Sequence, residues 1–71
     1  MPKLPRSISR VEALKLRVEV HAFIERNPRT QADTLKFFDV GQGTLYRILH
    51  GRPCDRTTAY KIRERMKGAT Q

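Results

Sequence analysis

With 71 residues the chain makes one small domain or a piece of one, whose core buries only about 60% of the surface that the unfolded chain exposes. One cysteine, Cys54, excludes an internal disulfide; Cys54, His21 and His50 are too few and wrongly spaced for tetrahedral zinc, which leaves helix packing to hold the fold. Fifteen Lys and Arg against seven Asp and Glu give a net charge of +8, so an anionic partner is expected; no run approaches the ~18 apolar residues of a membrane span or resembles a signal peptide, so the expected setting is intracellular, cytoplasm or nucleus.

Residues 1–9 open with Pro2 and Pro5, which hold the backbone extended, and read as a basic flexible arm carrying Lys3 and Arg6. Ser9 with Glu12 three residues on has the spacing of a capping box, predicting a helix from Arg10 that stops before Asn27-Pro28. Within it, residues 14–22 alternate apolar and polar as a half-buried strand would. At about 100° per residue the same stretch makes two apolar stripes on a helix, Val11, Leu14, Val18 and Ala22 against Ala13, Leu16, Val20, Phe23 and Ile24. The length favours helix, with strand as the alternative; one stripe would cover the core and the other a second subunit, another domain or the remaining helices.

Thr30 is placed to cap a short helix ending at Phe38, with Asp33 adding negative charge near its start. A second short helix, from about Gln42 to His50, follows Asp39-Val40-Gly41 and is closed by Gly51. Asp55 can cap a last helix from Arg56 to about Lys67, with Ala59, Ile62 and Met66 at helical spacing and a disordered tail over residues 68–71. The expectation is an all-α bundle of about four helices over residues 10–67.

The turn between the two short helices needs a residue tolerant of left-handed backbone followed by an apolar one, which Asp39 and Val40 supply. The stretch QADTLKFFDVGQGTLYRILHG, Gln31 to Gly51, resembles the helix-turn-helix of Cro and phage-repressor proteins. It is also similar to the homeodomain-like DNA-binding domains of transposases, and both subfamilies stay open. Leu35 stands where that family has a small alanine, Asp39 where it prefers glycine, and Gly41 where serine or threonine caps the reading helix. The resemblance implies that Gln42, Gly43, Tyr46 and Arg47 face the major groove. Gln pairs with adenine, Arg with guanine O6 and N7, and glycine permits close approach.

Thr44 and His50 are assigned to phosphate, together with the free N–H groups of Gly41 to Gly43. The flanks add Lys3, Arg6, Arg52, Lys61, Arg63 and Arg65 as phosphate contacts, with an adjacent minor groove as the alternative for the arm, because residues 30–50 are neutral, Lys36 and Arg47 balancing Asp33 and Asp39, while both flanks are basic. Ordinary alternatives stand beside these: Tyr46 as a packing residue, Arg47 as a solvated charge, Phe37 and Phe38 as core with one of them facing inward, and residues 61–67 as a solvated helix face. His21, His50 and Cys54 offer no catalytic or metal chemistry.

No nucleophile with an adjacent base, no paired carboxylates in an apolar setting and no cofactor motif appear in the sequence, so no enzyme activity, cofactor or small-molecule substrate is expected. The expected function is sequence-specific binding of double-stranded DNA, by a regulator or by the targeting module of a larger protein, with a homodimer as one possible state. Two rivals are a protein-interaction module docking through Leu16, Val20 and Phe23 of the first helix, and non-specific nucleic-acid or membrane attachment through the basic flanks.

Overall fold

The computed structural model describes residues 6–69; Lys3 lies outside them. Four helices follow one another: α1 (Arg10–Arg26), α2 (Gln31–Phe38), α3 (Gln42–Leu49) and α4 (Arg56–Ala69). No strand occurs among the described residues, so the fold is a small all-α bundle.

The caps written into the sequence form locally. Ser9 Oγ accepts the Glu12 N–H at 3.2 Å while Glu12 Oε1 accepts the Ser9 N–H at 3.5 Å, closing the capping box of α1. These hydrogen bonds from Ser9, helped by Arg56 at 3.4 Å, hold the Glu12 carboxyl below its ordinary range. At the other end the Asn27 N–H and side-chain amide both donate to Phe23 O, and Pro28 prevents continuation. Thr30 Oγ1 accepts the Asp33 N–H at 3.1 Å to open α2, and the buried Thr34 hydroxyl donates to Thr30 O at 2.9 Å.

Both short helices stop through a left-handed residue. Asp39 (φ 56°, ψ 50°) ends α2. Its N–H donates to Lys36 O and that of Val40 to Leu35 O, each at 3.2 Å, while Leu35 and Val40 both pack against the core. Gly51 (φ 72°) does the same after α3, with Gly51 N–H donating to Ile48 O and Arg52 N–H to Arg47 O. The final helix runs to Ala69, through Gly68 and past the end near Lys67 that the sequence predicts.

Residues 14–22 are helical throughout. Ala13, Leu16, Val20 and Phe23 form the buried stripe, and Val11, Leu14 and Val18 are left in water. The period-two alternation arises because the two stripes lie about 180° apart on a helix of about 100° per residue. Phe38 and Ile62, with no exposed surface, meet Leu16, Val20, Leu45 and Ile48 in the centre. Phe23, Phe37 and Phe38 form a triangle of rings with centroids 5.1 to 5.8 Å apart. Of the two neighbouring phenylalanines Phe38 is the inward one, and Phe37 is half-buried under the Arg29 guanidinium, 4.4 Å from the ring centroid.

The segment expected as a flexible arm is held in place from residue 6 onward. Ile8 is buried and its N–H donates to Cys54 O at 3.0 Å; Arg56 N–H donates to Arg6 O at 2.7 Å; Ser7 and Asp55 form an isolated antiparallel bridge. Ile8 supplies the physical reason, since its apolar side chain completes the core beside Cys54, whose thiol burial pushes further toward the protonated form. Among the described residues no helix is long and apolar enough to cross a membrane.

Candidate nucleic-acid interface

The α3 helix is anchored from within and open on the outside. Leu45 and Ile48 are buried in the core. At about 100° per residue Gly43, Tyr46, Arg47 and His50 then fall on the opposite side, with Gln42 at its edge about 60° from Leu45, and all five are exposed. Thr44 is turned off that side and half-buried, so it is not brought together with the others.

Several groups fix the helix at its C-terminal end, where helix carbonyls lack intrahelical partners. His21 Nε2 donates to Leu49 O at 2.9 Å from α1, and His50 Nδ1 donates to Tyr46 O at 2.8 Å. The His50 ring also stacks on Tyr46, with centroids 4.0 Å apart and planes 27° from parallel. This stack holds the 54%-exposed Tyr46 ring upright on the surface instead of folding it onto the core. The hydrogen bond commits the His50 Nδ1–H to its own helix.

At the N-terminal end Gly41 precedes α3 without a side-chain cap, so the first backbone N–H groups there meet no capping oxygen of that residue. A Cβ placed on Gly43 would meet nothing within 4 Å. Glycine inside a helix costs up to about 1 kcal/mol relative to alanine, and the chain's own packing gives no reason for it at Gly43. The Arg47 guanidinium makes no ion pair with any described residue.

The basic flank residues separate into different surroundings. Lys61 Nζ donates to Asp39 O at 2.7 Å and lies 3.7 Å from Asp39 Oδ2, beside the turn that leads into α3. Arg63 pairs with Glu19 of α1 at 3.4 Å, on another side of α4. Arg65 is exposed and about 40° from Lys61 around the helix, at 100° per residue. Arg52 is exposed just beyond α3, and Arg6 is exposed beside the start of α4. Lys61, Arg63 and Arg65 therefore do not form one rail. Two positioning contacts, His21 to Leu49 and Lys61 to Asp39, are invisible to sequence reasoning because 28 and 22 residues separate the partners.

Comparison with protein-family models, with curated proteins and with solved structures finds no match to this chain. Its functional reading stands on the chemistry of the α3 face and the charge around it.

Proposed function

We propose that this chain binds double-stranded DNA sequence-specifically, laying the outward side of α3 into the major groove. The observation that carries the reading is the set Gln42, Gly43, Tyr46 and Arg47: two planar donors suited to base edges, an upright ring and a glycine with no internal packing role, all exposed on one side of a helix anchored to the core. The uncapped N–H groups at Gly41 to Gly43 suit a phosphate oxygen at one end of that surface; at the other, His50, whose Nδ1–H is committed to Tyr46 O, can donate from Nε2 only as the imidazolium. A net charge of +8 supplies attraction to a polyanion over the whole molecule.

In this reading α2 braces α3 through the Asp39-Val40 turn, as in a helix-turn-helix, and the chain acts inside the cell as a regulator or as the DNA-targeting part of a larger protein. It binds and carries out no chemistry of its own. Selection of duplexes from random DNA followed by fluorescence anisotropy tests this. A selected site should bind at least 10³-fold more tightly than random duplex. Arg47→Ala should cost about 1 to 3 kcal/mol and relax the preference at one base pair. An equal loss on every duplex, with the fold intact, would show that α3 does not read bases.

A further inference from the structure

We infer that the outer face of α1 is a contact between two copies of this chain, paired antiparallel about a two-fold axis. Val11, Leu14 and Val18 are 63%, 44% and 67% exposed. Ala22, half-buried, continues their row toward the groove between α1 and α4. The row lies opposite the stripe that carries the core, and the described residues of the same chain leave most of it uncovered. This also moves the protein-docking surface considered from the sequence: Leu16, Val20 and Phe23 are buried, and the apolar side of α1 that a partner can reach is Val11, Leu14 and Val18.

The charges beside the row select a second copy as the occupant. In an antiparallel two-fold pair each flank of the helix meets the same flank of the other copy with its direction reversed. Lys15 and Glu19 lie about 55° and 95° to one side of the row's centre, Arg10 about 85° to the other, and Glu25 continues the row about 25° toward the side of Arg10. Lys15 meets Glu19 of the second copy when the axis passes midway between them, at residue 17; Arg10 meets Glu25 when it passes at 17.5. One register therefore satisfies both pairs, twice each by symmetry. The apolar row closes about one residue from that axis, Val11 near Ala22 and Leu14 near Val18, with midpoints at 16.5 and 16.

A parallel pair would instead set Lys15 against Lys15. Arg17 is turned about 105° from the centre of the row, about as far to one side as Glu19 is to the other, and meets Arg17 of the second copy across the axis, a like-charge contact that weakens the pair without outnumbering the four opposite-charge ones. Glu19 binds Arg63 through Oε2 at 3.4 Å, leaving Oε1 for Lys15 of the second copy. One helix face is smaller than the ~800 Å² per partner of a standard interface, so the association is weak, with Kd near or above about 10 µM.

Sedimentation equilibrium of the full chain without DNA, from about 10 µM to 1 mM, tests this. The chain should approach a dimer over that range. Val18→Asp should weaken association at least about tenfold while circular dichroism stays helical, since the residue faces water in the monomer. Lys15→Glu and Glu19→Lys should each be weakened alone, and an equimolar mixture of the two should associate again as a heterodimer. A chain that is monomeric throughout the range, or a mixture that fails to recover, overturns the proposal. Because no DNA is present, either failure leaves the reading of α3 untouched.

Discussion

The Lys61 ammonium donates to the backbone oxygen of Asp39 at 2.7 Å, tying the last helix to the left-handed residue that ends α2. The contact orients the turn that delivers α3, while Arg65 on the same side of α4 makes no ion pair among the described residues. Lys61→Ala should lower stability by about 0.5 to 1.5 kcal/mol, the contact being partly solvated. Arg65→Ala should leave stability unchanged and reduce the slope of log affinity against log salt by about one if it meets a phosphate. Arg63→Ala, held against Glu19, should move the slope less than Arg65→Ala. Urea melts and salt titrations of the three variants separate these roles, and a common slope change for all three would argue against the division.

Gly43→Ala should move stability and binding in opposite directions. A Cβ there meets nothing within 4 Å, and alanine removes backbone freedom from the unfolded chain, so stability should rise by about 0.5 kcal/mol. Under the proposed docking of α3 the added methyl would stand where the groove wall approaches, so affinity for a selected duplex should fall. If both rise together, Gly43 does not face the groove.

Gly51→Ala should destabilise by about 1 to 2 kcal/mol. Its φ of 72° penalises any Cβ, and that Cβ would also lie 3.1 Å from Leu14 Cδ2 and 3.3 Å from Arg17 Cδ. Asn, which tolerates left-handed backbone, should recover part of the loss. Thermal midpoints of the two variants check the order, and equal midpoints would locate the cost in the side-chain contacts instead of the backbone.

Acid should weaken the start of α1 through Glu12. Hydrogen bonds from Ser9 hold its carboxyl below the ordinary value of 4.5, with Arg56 adding to the effect. A group lowered in the folded state contributes its stability above the unfolded pKa and loses it as pH falls through the folded one. The stability difference between the wild type and Glu12→Gln should therefore be present near neutral pH and shrink below about pH 4.5. Denaturant midpoints at several pH values measure it; a difference that grows on acidification has the wrong sign for this mechanism.

Helix ends were legible in the sequence because their determinants act within about five residues. Ser9 with Glu12, Thr30 with Asp33, Asp39 with Val40 and Gly51 with Arg52 each satisfy backbone groups that every helix leaves unpaired, whatever surrounds them. The outward placement of Gln42, Gly43, Tyr46 and Arg47 came from the resemblance of Gln31 to Gly51 to a helix-turn-helix, and their exposure is compatible with the burial of Leu45 and Ile48 on the inner side of the same helix.

Tertiary structure alone decided which apolar stripe of α1 enters the core. Val11, Leu14 and Val18 are as apolar as Leu16 and Val20, and the choice depends on which row meets Phe38, Ile48 and Ile62 once all four helices are together. The docking of residues 6–9 on Cys54 to Arg56, the His21 hold on Leu49 and the division of Lys61 from Arg63 have the same origin. Their partners are distant in sequence, and no local pattern encodes a contact whose strength depends on the burial and geometry of both sides.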